Sequence, residues 1–118
     1  MGILAYITDL FFQSKVGQTA QSLGLKVKIV SSLYRFLSEL ESKPSMVLID
    51  LDADGISPST LIAQVKEKNP KLPIVVFGAQ KQTGQLEQAR KSGADQVLLR
   101  SKLSKDMGKI LSQYAPEE

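Results

Sequence analysis

The chain has 118 residues, 42% of them hydrophobic and 23% charged, the makeup of a single folded domain able to bury roughly two-thirds of its unfolded surface. It contains no cysteine and no histidine, which excludes disulfides, thiolate zinc sites, cysteine nucleophiles and histidine acid–base pairs, and leaves only oxygen-ligated metals. The net charge of +3 is mild, and the lysines are spread through "KVK", "KEKNPK" and "RSKLSK", so nucleic acid is not an expected partner.

The opening "MGILAYITDL" lacks a basic leader and a small-residue cleavage site, and Tyr6 stands where a myristoylation signal wants Ser or Thr. It reads instead as a strand, "ILAYIT" (3–8), followed by a helix marked by Phe12, Val16, Ala20 and Leu23. "LKVKIV" (25–30) alternates, which predicts an edge strand with one wet face, and Leu33, Leu37 and Leu40 mark the helix after it. "SMVLID" (45–50) is a third strand, and Pro58 can open the helix carried by Leu61, Ile62 and Val65. "PIVVF" (73–77) leads to a helix with Leu86 and Ala89, ended by Gly93. "QVLL" (96–99) precedes the last stripe, Leu103, Met107, Ile110, Leu111 and Tyr114, read as one fifth helix.

The runs at 45–50, 73–77 and 96–99 are nearly continuously apolar, as parallel strands covered on both faces require. Five β-α units predict one α/β domain over residues 1–118, a doubly wound three-layer α/β/α sandwich. Its five-stranded parallel sheet should have the flavodoxin-like order 2-1-3-4-5. Function is then expected at the carboxyl ends of the strands, where Asp9, Asp50, Gly78 and Arg100 all fall. No apolar run reaches the length of a bilayer span, so a cytoplasmic protein without membrane contact is expected.

The stretch "MVLIDLDADGI" (46–56) has three readings. As a calcium loop starting at Asp50 it would need a bidentate Glu at its twelfth position, which is Leu61, and helices on both sides. As a D-x-D phosphotransferase using magnesium, Asp50 would be nucleophile and Asp52 general acid, yet no paired acids follow at a later strand end. The third reading is a phosphoacceptor strand. "SMVLIDLDADG", "KLPIVVFGAQ", "ARKSGADQVLLRS" and "ITDLFFQSKV" together resemble the blocks of a response-regulator receiver domain of the CheY-like kind, over residues 3 to 113.

That resemblance implies Asp50 as phosphoacceptor, with an acidic pair after the first strand holding magnesium, a hydroxyl after the fourth and a lysine after the fifth. Here Asp9 matches one acid, but Thr8 stands in its partner's place; Asp52 adds a further carboxylate to the pocket. Gly78 replaces the hydroxyl, Val97 the rotating aromatic, Arg100 the lysine and Ser101 the proline. The expectation is a divergent member, a pseudo-receiver, in which Arg100 pairs permanently with Asp50, Asp9 or both. No cofactor is expected; magnesium could bind only weakly, through Asp9 and Asp50. The alternatives are a phosphorylation-competent receiver and the magnesium-dependent phosphotransferase. With the chain ending at its fifth helix, a lone module without catalytic residues is expected, docking to another signalling protein or to its own copy. The resemblance places that interaction face at Gln82, Gln85, Gln88, Lys91, Lys102, Lys105 and Lys109.

Overall fold

The computed structural model describes residues 2–52 and 57–114, so Asp54 and Gly55 of the D-x-D-x-D-G stretch lie outside the described residues. One sheet contains β1 (Ile3–Tyr6), β2 (Val27–Val30), β3 (Met46–Asp50), β4 (Ile74–Gly78) and β5 (Gln96–Leu99). Its spatial order is β2-β1-β3-β4-β5, with every pairing parallel, as the alternation of elements predicts. The helices are α1 (Leu10–Ser22), α2 (Leu33–Glu39), α3 (Pro58–Lys68), α4 (Thr83–Lys91), α5 (Arg100–Lys105) and α6 (Met107–Gln113).

Because strand side chains alternate, each strand feeds two separate cores. Leu4, Tyr6, Val47, Ile49, Ile74 and Val76 meet Phe36, Leu61, Ile62, Val65 and Leu86 from α2, α3 and α4. Ile3, Ala5, Met46, Leu48, Val75 and Phe77 meet Phe12, Val16, Leu103, Met107 and Leu111 from α1, α5 and α6. Asp50 continues the row of Met46 and Leu48, so it stands at the carboxyl end of the second core.

Local chemistry sets the helix ends. Asp9 caps α1, its Oδ1 accepting from the backbone N–H of Phe11 at 2.9 Å and of Phe12 at 3.4 Å. Ser32 caps α2 through the Arg35 N–H, and Pro58 occupies the first turn of α3. Gly93 follows α4 at φ +111°, a conformation that L side chains rarely adopt.

Four expectations are corrected. The strand at 96–99, expected to be covered on both faces, is only partly buried along its length and Leu99 is exposed, because the predicted order leaves it at the edge of the sheet. The last apolar stripe belongs to two helices, broken at Asp106, where φ is −110° and ψ 23°. Asp106 and Gly108 are both poor helix formers, although the stripe itself still packs inward. Leu23 and Leu33 are exposed rather than core, since one closes α1 and the other opens α2, and Phe36 anchors α2 instead, stacked on Tyr6 at 5.4 Å. The strands at 3–8 and 25–30 are shorter than predicted, pairing only over Ile3–Tyr6 and Val27–Val30. Among the described residues, no helix is long and apolar enough to cross a membrane.

Candidate functional site at the carboxyl end of the sheet

The ends of β3 and β5 bring the decisive side chains together. Asp50 is the last residue of β3 and is fully buried. Arg100 follows β5 without a loop, as the first residue of α5, and its side chain reaches back across the strand ends. Its Nη2 donates to Asp50 Oδ1 at 3.0 Å and to Asp52 Oδ2 at 2.8 Å. The backbone N–H of Asp52 donates to the same Asp50 Oδ1 at 2.9 Å, so that oxygen accepts two hydrogen bonds. Two apolar rings complete the setting: the guanidinium carbon lies 5.7 Å from the centroids of both Phe12 and Phe77, which stack on each other at 5.0 Å.

Burial pushes the Asp50 carboxyl above its ordinary value; the Asp52 N–H and the Arg100 charge pull the other way without offsetting it. For Arg100, burial opposes the charge. The hydrogen bond to Asp52 and the charges of Asp50 and Asp52 outweigh that opposition, so the guanidinium holds its proton still more firmly than usual. Neither group is saturated: Asp50 Oδ2 and Arg100 Nε are buried without a hydrogen-bond partner among the described residues. No group of three acidic side chains gathers in metal-binding geometry among the described residues.

The site lies where the strand order reverses, with β1 between β2 and β3, and a profile of the response regulator receiver domain matches residues 9–111. The chain belongs to that family. Solved receivers share its fold at low identity. A response regulator receiver domain from Bermanella marisrubri is 16% identical, with a TM-score of 0.82 over 95% of each chain. The chemotaxis response regulator CheY4 of Vibrio cholerae is 15% identical, with a TM-score of 0.81 over 95% of this chain and 96% of that one. The receiver domain of a sensor histidine kinase from Pseudomonas aeruginosa PAO1, whose structure holds a magnesium ion in its active-site cleft, is 17% identical. Its TM-score is 0.80, over 95% of this chain and 94% of that one. No curated protein matches the chain.

In this receiver domain only some of the residues singled out from sequence meet at the site. Asp50, Asp52 and Arg100 converge. Asp9, the other expected partner of Arg100, is exposed and is used to cap α1, so Asp52 takes the place assigned to it. Thr8 is half-buried and Ser101 exposed in the first turn of α5, while Val97 packs into the opposite core, against α2, α3 and α4, away from the Arg100 side. Gly78 ends β4 directly beside Asp50's strand. Of the proposed interaction face, Gln85, Gln88, Lys91, Lys102, Lys105 and Lys109 are exposed, with Lys102 paired to Asp106 at 2.8 Å. Gln82 departs from that face. Its side chain turns inward, Oε1 accepting from the Ala79 N–H at 2.8 Å and Nε2 donating to the Leu51 carbonyl at 3.3 Å. The roles of Phe77 and Gln82 at the site escaped the sequence reading, because a strand-end Phe and a helix-start Gln carry no signal of their own.

Proposed function

We propose that this receiver domain is a signalling module that acts by contact with another protein, and that Asp50 is not switched by ordinary aspartyl phosphorylation. The observation that carries the reading is the single guanidinium nitrogen of Arg100 bridging buried Asp50 and exposed Asp52. Attack by a carboxylate on a phosphoryl group needs a cation to offset the repulsion between two anions. A guanidinium is always charged, and its planar fork suits standing pairs with carboxylates.

The residues present do not fit the magnesium site that the family implies. Asp9 is turned to the α1 cap, Thr8 offers no carboxylate, and Arg100 already lies on Asp50 Oδ1. Gly78 supplies no hydroxyl and Val97 no rotating ring, which leaves phosphorylation no bistable element to bias. The domain is thus proposed to have no enzymatic activity of its own and to act in the cytoplasm. Its docking surface would comprise the exposed Gln85, Gln88, Lys91, Lys102, Lys105 and Lys109, facing a signalling protein or a second copy.

One observation favours a second reading, that Asp50 is still a phosphoacceptor: its Oδ2 has no hydrogen-bond partner among the described residues. Incubation with acetyl phosphate and magnesium, followed by intact mass spectrometry, separates the two. The expected result is no added phosphoryl mass. A phosphorylated species that disappears in Asp50→Asn would establish the second reading instead.

A further inference from the structure

Gly78 poses a question that its backbone does not answer. Among the described glycines only Gly24 and Gly93 have positive φ, so the conformation at 78 is open to any residue. What excludes a side chain there is Gln82. A Cβ placed on Gly78 would lie 2.8 Å from Gln82 Oε1, with the nearest Leu51 atoms at 3.4 Å.

The Gln82 side chain occupies that place for a reason visible in its bonds. Its Oε1 takes the Ala79 N–H, and its backbone N–H returns a bond to the Ala79 carbonyl at 2.9 Å, closing the short turn Gln80–Gln82 on itself. Its Nε2 crosses to the Leu51 carbonyl, on the backbone between Asp50 and Asp52. The segment 50–52 is therefore held from two sides, by Arg100 through its carboxylates and by Gln82 through its main chain.

We infer that Gln82 is a latch that ties the start of α4 to the Asp50–Asp52 segment, and that position 78 is glycine in order to admit it. The latch sets the placement of Gln85 and Gln88, about one and two turns further along α4, relative to the acid cluster. It is independent of whether Asp50 accepts a phosphoryl group.

The test is a double-variant cycle of Gly78→Ala and Gln82→Ala, read by urea denaturation and by amide exchange at Ala79 in NMR. Because the obstructing atom is the end of a flexible side chain, Gly78→Ala should fold by expelling Gln82, and so should lose the same bonds as Gln82→Ala. Each single variant is expected to speed exchange at the Ala79 amide about tenfold and to lower the folding constant about five- to tenfold. The double variant should be no worse than either single within about threefold, since there is one latch to lose. Gln82→Glu, which keeps an acceptor for the Ala79 N–H, should retain protection of that amide. Multiplying losses in the double variant would overturn the inference, as would an Ala79 amide indifferent to Gln82→Ala.

Discussion

Arg100 is the residue on which the site turns, and its loss has a calculable direction. Removing it strips Asp50 of its cation in a fully buried setting, although the carboxyl can escape the full penalty by taking up a proton. Arg100→Ala is expected to lower stability by about 1–3 kcal/mol in urea denaturation at neutral pH. Arg100→Lys should recover only part of this, because an ammonium is a point charge without the planar face that lies over Phe12 and Phe77. Asp50 gives the pH dependence. Its carboxyl is raised in the folded state, so the native form binds the proton more readily than the unfolded chain. The resulting stabilisation is complete below the ordinary carboxylate value of about 4 and is lost as pH rises through the folded value. Asp50→Asn cannot ionise, so its stability relative to the parent should climb as pH rises from about 4 towards neutrality. Glu41 beside Lys68 and Asp106 beside Lys102 are lowered and slope the other way, but they are common to both proteins and cancel in the difference. A difference that stays flat across that range would contradict the burial argument.

At the scale of elements, short α5 is what presents Arg100, and Leu103 is what seats α5. Leu103 is fully buried in the core shared with α1 and α6, three positions beyond Arg100. Leu103→Ala should cost about 2–5 kcal/mol by leaving a cavity, whereas Leu33→Ala, at a leucine 39% exposed, should stay within about 0.5 kcal/mol. Parallel urea titrations check the contrast. The pair also shows what periodicity can convey. Leucines at helical spacing mark a helix reliably, yet Leu33 opens α2 and Leu23 caps the end of α1, and at these helix ends both stay largely exposed. The break at Asp106 was hidden for the same kind of reason: the inward stripe runs unbroken through it, and only backbone angles mark the change.

Across the whole molecule, two apolar layers clamp the sheet and leave its carboxyl edge as the place where polar side chains meet. Asp50 arrives there from the centre of the sheet, Arg100 from the β5 side and Gln82 from the start of α4, so three elements converge on one short run of backbone. That convergence couples the exposed surface of α4 to the acid cluster through hydrogen bonds rather than through a mobile ring. This coupling supports the proposed reading of a docking module that does not depend on phosphorylation.

Much of this was legible in the residues themselves. The alternation of short apolar runs with helical patterns determined five β-α units, hence the class of sheet, because run length and helical spacing follow from local backbone geometry. It also put Asp50 and Arg100 at strand ends, since each is the first charged residue after an apolar run. Only the tertiary structure decided which acid meets Arg100. Asp9 lies nearer the first strand in sequence, but an Asp one residue before a helix satisfies two backbone N–H groups of that helix, and this local bond wins. Asp52, 48 residues from Arg100, is delivered by the side-by-side ends of β3, β4 and β5. The same convergence folded Gln82 over Gly78, an outcome set by which element ends become neighbours and not by any pattern along the chain.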